Sequence, residues 1–316
     1  MAITDKLNAI GDAIRNKTGK TDKLTLDQMA TEIGGITTDG DGLARSIVNK
    51  TITNYSDSEV TVVGGYAFID QKELTSVSVP SATSIGSYAF SGCSALTSVN
   101  VPKATTVSER AFQQCTSLTR LDLPKVTTLI GYLVYGCSSL VELNAPEVAT
   151  GRGFAIAGSK IEHLNLPKFV TPGSSVFRNA TSMRTVYMPK LDRLEEALFY
   201  NATALETVTF PSVASANNQS MRGCTALAYV DLPINKSIST QVFYGCSSLK
   251  TLILRKSDAI CTLANTNAFT STPIANGEGY IYVPEALLES YKTATNWSTY
   301  ANQFRAIEDY PEITGG

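Results

Sequence analysis

The side chains that could carry out a reaction are few in this sequence, and their spacing keeps them apart. Acyl-transfer or hydrolytic chemistry needs a nucleophile, a base and an orienting group brought together, yet His163 is the only histidine in the chain. It occupies a position that recurs as Ser98, Arg120, Glu142, Thr185, Thr207, Tyr229 and Thr251, a range of types expected of open surface. Glu195 and Glu196 are adjacent. In extended chain neighbouring side chains face opposite ways, so the two carboxylates are not placed to share a proton. The six cysteines form no C-x-x-C pair of the kind zinc sites use. The "GKT" at residues 19–21 lacks the glycine five positions earlier that a phosphate loop requires. The expectation is a protein without catalytic residues, metal or cofactor.

Composition narrows the classes further. A formal net charge of −2 argues against a broad nucleic-acid or anionic-membrane surface, so no nucleic-acid partner is expected. Hydrophobic residues at 43 % and charged residues at 17 % fit a continuous core under an uncharged polar skin. No segment supplies the ~18 consecutive apolar residues of a membrane span, and membrane insertion is not expected. The opening residues, interrupted by Asp5 and Asp12, lack the apolar run of a secretory signal, which predicts export by another route.

What must position any functional side chain is a repeat. Prolines close short apolar runs at Pro80, Pro102, Pro124, Pro146, Pro167, Pro189, Pro211 and Pro233, spaced by 22 residues except for 21 between Pro146 and Pro167. The phrases before them, such as Leu96-Thr-Ser-Val99-Asn-Val101, follow the L-x-x-L-x-L strand of leucine-rich repeats. Proline has no N–H to give and ends each strand. Inside the unit, one apolar position recurs at Ile85, Val107 and Leu129. A larger one reads Phe90, Phe112, Val134, Ile156, Phe177, Phe199, Met221 and Phe243, the expected inward plugs. Cys93, Cys115 and Cys137 continue in register as Ser159, Ala180 and Ala202 and return as Cys224 and Cys246. The position therefore asks for a small buried group. Stacked coils would bring these thiols within disulfide range, but parallel side chains on a ladder lack the torsion, so reduced core thiols are expected.

A unit of 22 residues is too short to hold a full helix beside its strand, and Gly, Ser and Thr around "SIGSYAF" favour tight turns. The fold class predicted is mainly β: a leucine-rich repeat solenoid of about nine 22-residue coils with a small α-helical N-terminal leader and an α-helical C-terminal cap. Residues 1–36 are read as the leader, because Ile3, Leu7, Ile10 and Ile14 form one helical stripe and a second helix ends at Gly34-Gly35. Residues 37–42 are a turn-rich linker, 43–79 an N-terminal cap and first coil, 80–254 eight repeats, and 255–316 an irregular last coil and cap. In that cap, "PEALLESYKTATNW" predicts a helix beginning at Pro284 and carrying Trp297 over the last coil.

Along the strands, inward Leu96, Val99 and Val101 leave Thr97, Ser98 and Asn100 outward, and stacking turns such positions into columns. One column reads Asn100, Asp122, Asn144, Asn165, Tyr187, Thr209, Asp231 and Ile253. The candidate ligand face is Arg120, Asp122, Glu142, Asn144, His163, Asn165, Tyr187, Tyr229 and Asp231, since amide, carboxylate and aromatic groups on a rigid face suit sugars or a protein surface.

The phrase "SIGSYAFSGCSALTSVNVP" resembles the BspA-type leucine-rich repeat of bacterial surface proteins, over about residues 43 to 300. The opening "LNAIGDAIRNKTGKTDKLTLDQMATEI" resembles the helical leader of phage and prophage tail proteins of Firmicutes, and "IYVPEALLESYKTATNWSTYA" is similar to the C-terminal cap of such proteins. These resemblances imply a non-enzymatic tail-associated structural and recognition protein of a virion. Its repeat face would meet a host surface protein or polysaccharide. Residues 1–36 would dock to other tail or particle proteins through the stripe of Ile3, Leu7, Ile10 and Ile14. The alternative implied is a bacterial cell-surface adhesin of the BspA type.

Overall fold

The computed structural model describes residues 50–256 and 258–314. The expected leader helices, their apolar stripe and the linker fall outside these residues. The fold is a mainly β solenoid of about 11 coils with a small helical C-terminal region. The coils beyond nine come from the two ends, where strands Asn54–Ser56 and Tyr280–Val283 join the ladder. The chain divides into two compact units, one holding the described residues up to 126 with 132–145, the other 127–131 and residues from 146 onward.

In the first unit, strands Asn54–Ser56, Ser76–Ser78 and Ser98–Asn100 pair in parallel, with Asn54 opposite Ser76 and Ser76 opposite Ser98. Arg120–Asp122 pairs with Glu142–Asn144 in the same way. A second, shorter ladder runs through Val62–Val63, Ser84–Ile85 and Thr106–Val107. In the second unit, His163–Asn165 pairs with Thr185–Tyr187, and a five-stranded sheet runs from Thr207–Thr209 through Tyr229–Leu232, Thr251–Leu254 and Tyr280–Val283 to Phe304–Ala306.

Between the strands lie turns in place of helices, and hydrogen bonding between coils continues through them. The N–H groups of Tyr66, Phe68 and Asp70 donate to the carbonyls of Ser87, Ala89 and Ser91, at 2.9, 2.7 and 2.7 Å. Ala197, Phe199 and Asn201 do the same toward Asn218, Ser220 and Arg222. Two left-handed residues four apart in each turn aim these groups along the stack. The second of the two is often Gly92, Gly136, Gly158, Gly223 or Gly245, whose missing Cβ makes that conformation free. The first is never glycine: Tyr66, Tyr88, Arg110, Tyr132, Phe154, Ser175, Ala197, Gln219 and Gln241 fill it at φ of 52 to 61°. A left-handed residue with a side chain costs on the order of 1 kcal/mol, which the gained ladder bonds offset.

The plug column lies in the core, as its periodicity predicts: Phe90, Phe112, Val134, Ile156, Phe177, Phe199, Met221 and Phe243 are all fully buried. Within a unit the rings stack nearly parallel. Phe68 to Phe90 and Phe90 to Phe112 are each 5.3 Å apart, and Phe177 to Phe199 is 5.4 Å. The cysteines are buried free thiols with a role the sequence did not show. Each Sγ–H donates to the carbonyl of a plug residue one coil back: Cys93 to Phe68, Cys115 to Phe90, Cys137 to Phe112, Cys224 to Phe199 and Cys246 to Met221, at 3.0 to 3.1 Å. Burial pushes the Cys93 thiol up to about 12, so the group is a neutral donor.

At the C-terminal end, a 3-10 turn Glu285–Leu287 and a helix Leu288–Thr293 follow Pro284. Trp297 is buried, and its Nε1–H donates to the Cys261 carbonyl at 2.8 Å. The Tyr291 hydroxyl accepts from the Cys261 N–H at 3.1 Å. Cys261, outside the cysteine column, is thus the residue on which the cap closes.

The carbonyl that Cys115 reaches, Phe90 O, also accepts from the Cys93 N–H, so losing the thiol leaves it bonded. Cys115→Ala should therefore cost only about 1 to 2 kcal/mol in denaturant titration, against about 3 to 5 kcal/mol for Phe199→Ala. A thiol reagent such as DTNB should label none of the six cysteines in the native chain and all of them in guanidinium. Rapid native labelling would contradict this packing.

Candidate functional site

Each unit displays outward strand residues of its own. In the first, Arg120, Glu142 and Asn144 are exposed and Asp122 is half-buried. Arg120 grips Asp122 through Nε and Nη2 at 2.7 and 2.8 Å and reaches Glu142 through Nη1. The Asn144 amide donates to Asp122 Oδ1 at 3.0 Å. The Arg120 guanidinium, with help from Asn144, holds the Asp122 carboxyl below its ordinary range, despite some opposing desolvation. The Arg120–Asp122 contact is fully present above the usual carboxylate pKa and is lost as pH falls through the lowered one.

In the second unit, His163 and Asn165 stand opposite Thr185 and Tyr187, followed along the chain by Thr207 and Thr209. His163 Nδ1 lies 2.7 Å from Thr185 Oγ1. Tyr187 is 59 % exposed, the most open large apolar side chain among the described residues, and nothing charged shares its strand. Backbone pairing holds this patch in place, so a partner would lose little entropy in ordering it.

Two of the expected face residues are not on open surface. Asp231 is 7 % exposed, because Arg255 clamps its carboxylate with three contacts of 2.8 to 2.9 Å. Tyr229 is half-buried, its hydroxyl 3.5 Å from Ile313 O. Ile253, in the outward column by register, is fully buried, and so nearly is its neighbour Tyr282, whose ring meets Tyr310 edge-on at 5.4 Å. The C-terminal turns Ile307–Asp309 and Pro311–Thr314 lie against this end of the face. The candidate face is therefore Arg120, Asp122, Glu142 and Asn144 in one unit and His163, Asn165 and Tyr187 in the other.

Among the described residues no group of three His, Cys, Asp or Glu could hold a metal ion. Glu195 is spent on Arg193 at 2.5 Å and on the Asn217 amide, while Glu196 is exposed. No helix among the described residues is long and apolar enough to cross a membrane.

One row of turn side chains escaped the sequence reading. In the first unit Tyr66 stacks on Tyr88 at 5.0 Å, and Arg110 sits between Tyr88 and Tyr132. In the second, Arg178 and Arg222 alternate with aromatic rings. The signal was available, since Arg178, Tyr200, Arg222 and Tyr244 are spaced by 22 residues, but it lies beside the apolar register and is polar.

Parallel strands closing each coil, turns in place of helices and an inward plug column define a leucine-rich repeat protein. The chain belongs to the family described as BspA type leucine rich repeat region, which matches residues 61–184 and 171–280. No curated protein matches it. Among solved structures it is similar to a leucine rich cell surface protein from Faecalibacterium prausnitzii, at 20% identity over 81% of this chain and 78% of that one, TM-score 0.46. It is also similar to a leucine-rich repeat protein from Bacteroides ovatus, at 20% identity over 82% and 85%, TM-score 0.49. A third is the pneumococcal vaccine antigen PcpA, at 15% identity over 80% and 79%, TM-score 0.44.

Removing Arg255 would leave a buried carboxylate without its partner. Arg255→Met should cost about 1 to 3 kcal/mol, less than a fully buried pair because water still reaches the guanidinium. Adding Asp231→Asn should recover part of that loss. The check is a double-mutant cycle by thermal and urea unfolding, in which additive costs would show the pair to be uncoupled.

Proposed function

We propose that this chain is a non-enzymatic recognition protein that presents its strand face to a protein or glycan of a host surface, working at a bacterial cell surface as an adhesin. Membership of the BspA-type family supports the surface reading, and it rests on repeats that make up most of the chain. The tail-component reading rests on residues 1–36, which lie outside the described residues, and on the likeness of the C-terminal "IYVPEALLESYKTATNWSTYA" to the cap of such proteins.

One observation carries the binding reading: polar and aromatic side chains stand open on a backbone already fixed by parallel pairing. Tyr187, flanked by Asn165 and His163, supplies a broad apolar ring beside amide and imidazole donors. Arg120 supplies a planar donor held by two carboxylates. Aromatic and arginine side chains dominate binding energy at such faces.

The experiment is adhesion of the purified chain to host cells, matrix proteins and surface glycans, compared with an Arg120→Ala/Tyr187→Ala variant. Affinity should fall at least about tenfold, or ~1.4 kcal/mol, with melting temperature nearly unchanged. Equal binding by the folded variant would show the face to be only solvated sheet. Immunogold labelling separates the two locations: intact bacterial cells should be decorated, and labelling confined to phage particles would refute the surface reading.

A further inference from the structure

In the second unit the turns carry a column that the strand face does not explain. The Arg178 guanidinium lies 4.1 Å from the Tyr200 ring centroid and 5.7 Å from that of Phe154. Arg222 lies 4.5 Å from Tyr244 and 5.8 Å from Tyr200. Each cation is thus held between two rings, and Gln241 Oε1 takes one Arg222 N–H at 2.6 Å. Among the described residues, neither Arg178 nor Arg222 forms an ion pair.

Stacking alone would staple the coils together, and the first unit shows what that needs. There Arg110 is sandwiched at 5.4 and 4.7 Å by Tyr88 and Tyr132, with the Glu109 carboxylate 3.2 Å away. The charge is cancelled and the staple remains. In the second unit Arg178 and Arg222 are half-buried and, among the described residues, have no such carboxylate. A guanidinium covered on both faces still offers its in-plane N–H edge, the geometry that grips a carboxylate with two bonds. The rings also fix that edge before any ligand arrives.

Arg178 and Arg222 stand two coils apart, about 10 Å at the usual strand spacing. Between and beside them the Tyr200 and Tyr244 hydroxyls can donate to or accept from sugar hydroxyls. Duplex nucleic acid carries a charge about every 1.7 Å and asks for a far denser basic surface. Single-stranded nucleic acid needs open ring faces on which to stack successive bases, and here Tyr200 meets two guanidinium groups and Phe154 and Tyr244 one each.

We propose that the column Phe154, Arg178, Tyr200, Arg222 and Tyr244 is a second binding site, separate from the strand face, for a linear acidic polysaccharide whose carboxylates recur about every 10 Å. Glu196, exposed in the same turn as Tyr200, opposes such a ligand.

The test uses the full chain, with hyaluronan oligosaccharides as the probe because they carry one carboxylate per disaccharide, and dextran as the neutral control. Calorimetry at low salt should show binding to hyaluronan and not to dextran. Arg178→Gln/Arg222→Gln should weaken it at least tenfold, Glu196→Gln should strengthen it, and removal of an exposed cation elsewhere, Lys103→Gln, should leave it unchanged. Phenylglyoxal mapping of the wild-type chain should show hyaluronan protecting Arg178 and Arg222, a readout that stands even if the double variant misfolds. Equal binding of the two polysaccharides, unchanged affinity in the folded double variant, or equal modification with and without hyaluronan would each overturn the proposal. Because strand-face adhesion is read with Arg120→Ala/Tyr187→Ala, which leaves this column intact, such a failure leaves the strand-face reading untouched.

Discussion

Backbone hydrogen bonding from each coil to the next is the constraint on which the rest of this structure depends. Within each unit it runs through paired strands and on through the turns, so a coil is tied to its neighbour at several points of its circumference. Such a ladder tolerates little variation in length. Where one unit has 21 residues, the missing residue is taken from the turn between Ser159 and Ile161, and the short ladder that spans the gap keeps its register, Thr150 with Thr171 and Gly151 with Pro172. The left-handed turn residues follow from the same demand, since without them the N–H groups of Tyr88 or Gln219 would point away from the next coil.

With the backbone fixed, side-chain volume becomes negotiable inside and chemistry becomes negotiable outside. Gly151 takes a position filled elsewhere by Ile85, Val107 and Leu129. A Cβ there would come within 3.3 Å of the Phe169 ring and 2.9 Å of Val176, so Phe169 has filled the volume its neighbour gave up. Exchanges of this kind preserve packing density without preserving residue type. The outward columns answer to no such sum, which is why Arg120, His163 and Tyr187 can sit at positions filled in other coils by serine or threonine.

Positions governed by the repeat were legible in the sequence. The plugs, the thiols and the strand register follow from one interval and one rule about which residues face inward. What was not legible depends on contacts outside that interval. Asp231 belongs by register to the outward column, but Arg255, 24 residues on, and the C-terminal turns bury it. Ile253 is hidden for the same reason. The strand at Asn54–Ser56 lacks the closing proline that marked the others, and the strand at Tyr280–Val283 follows a stretched interval. The thiol hydrogen bonds were hidden because replacement by alanine at Ala180 and Ala202 points to size as the criterion, whereas the spare carbonyl lone pair is visible only in three dimensions.

The direction of the ladder also decides how this chain meets mechanical load. Within each unit the inter-coil bonds lie along the stack, so a pull applied in that direction opens them one coil at a time, like a zipper. The alternative, shearing a whole sheet at once, would demand a far higher force. Each coil that opens releases about 22 residues of chain, on the order of 70 Å of contour, in exchange for ~5 Å of stack. The coils still closed keep their turns and strand faces intact. The fold is therefore a store of slack, paid out in equal increments while the remaining coils stay folded.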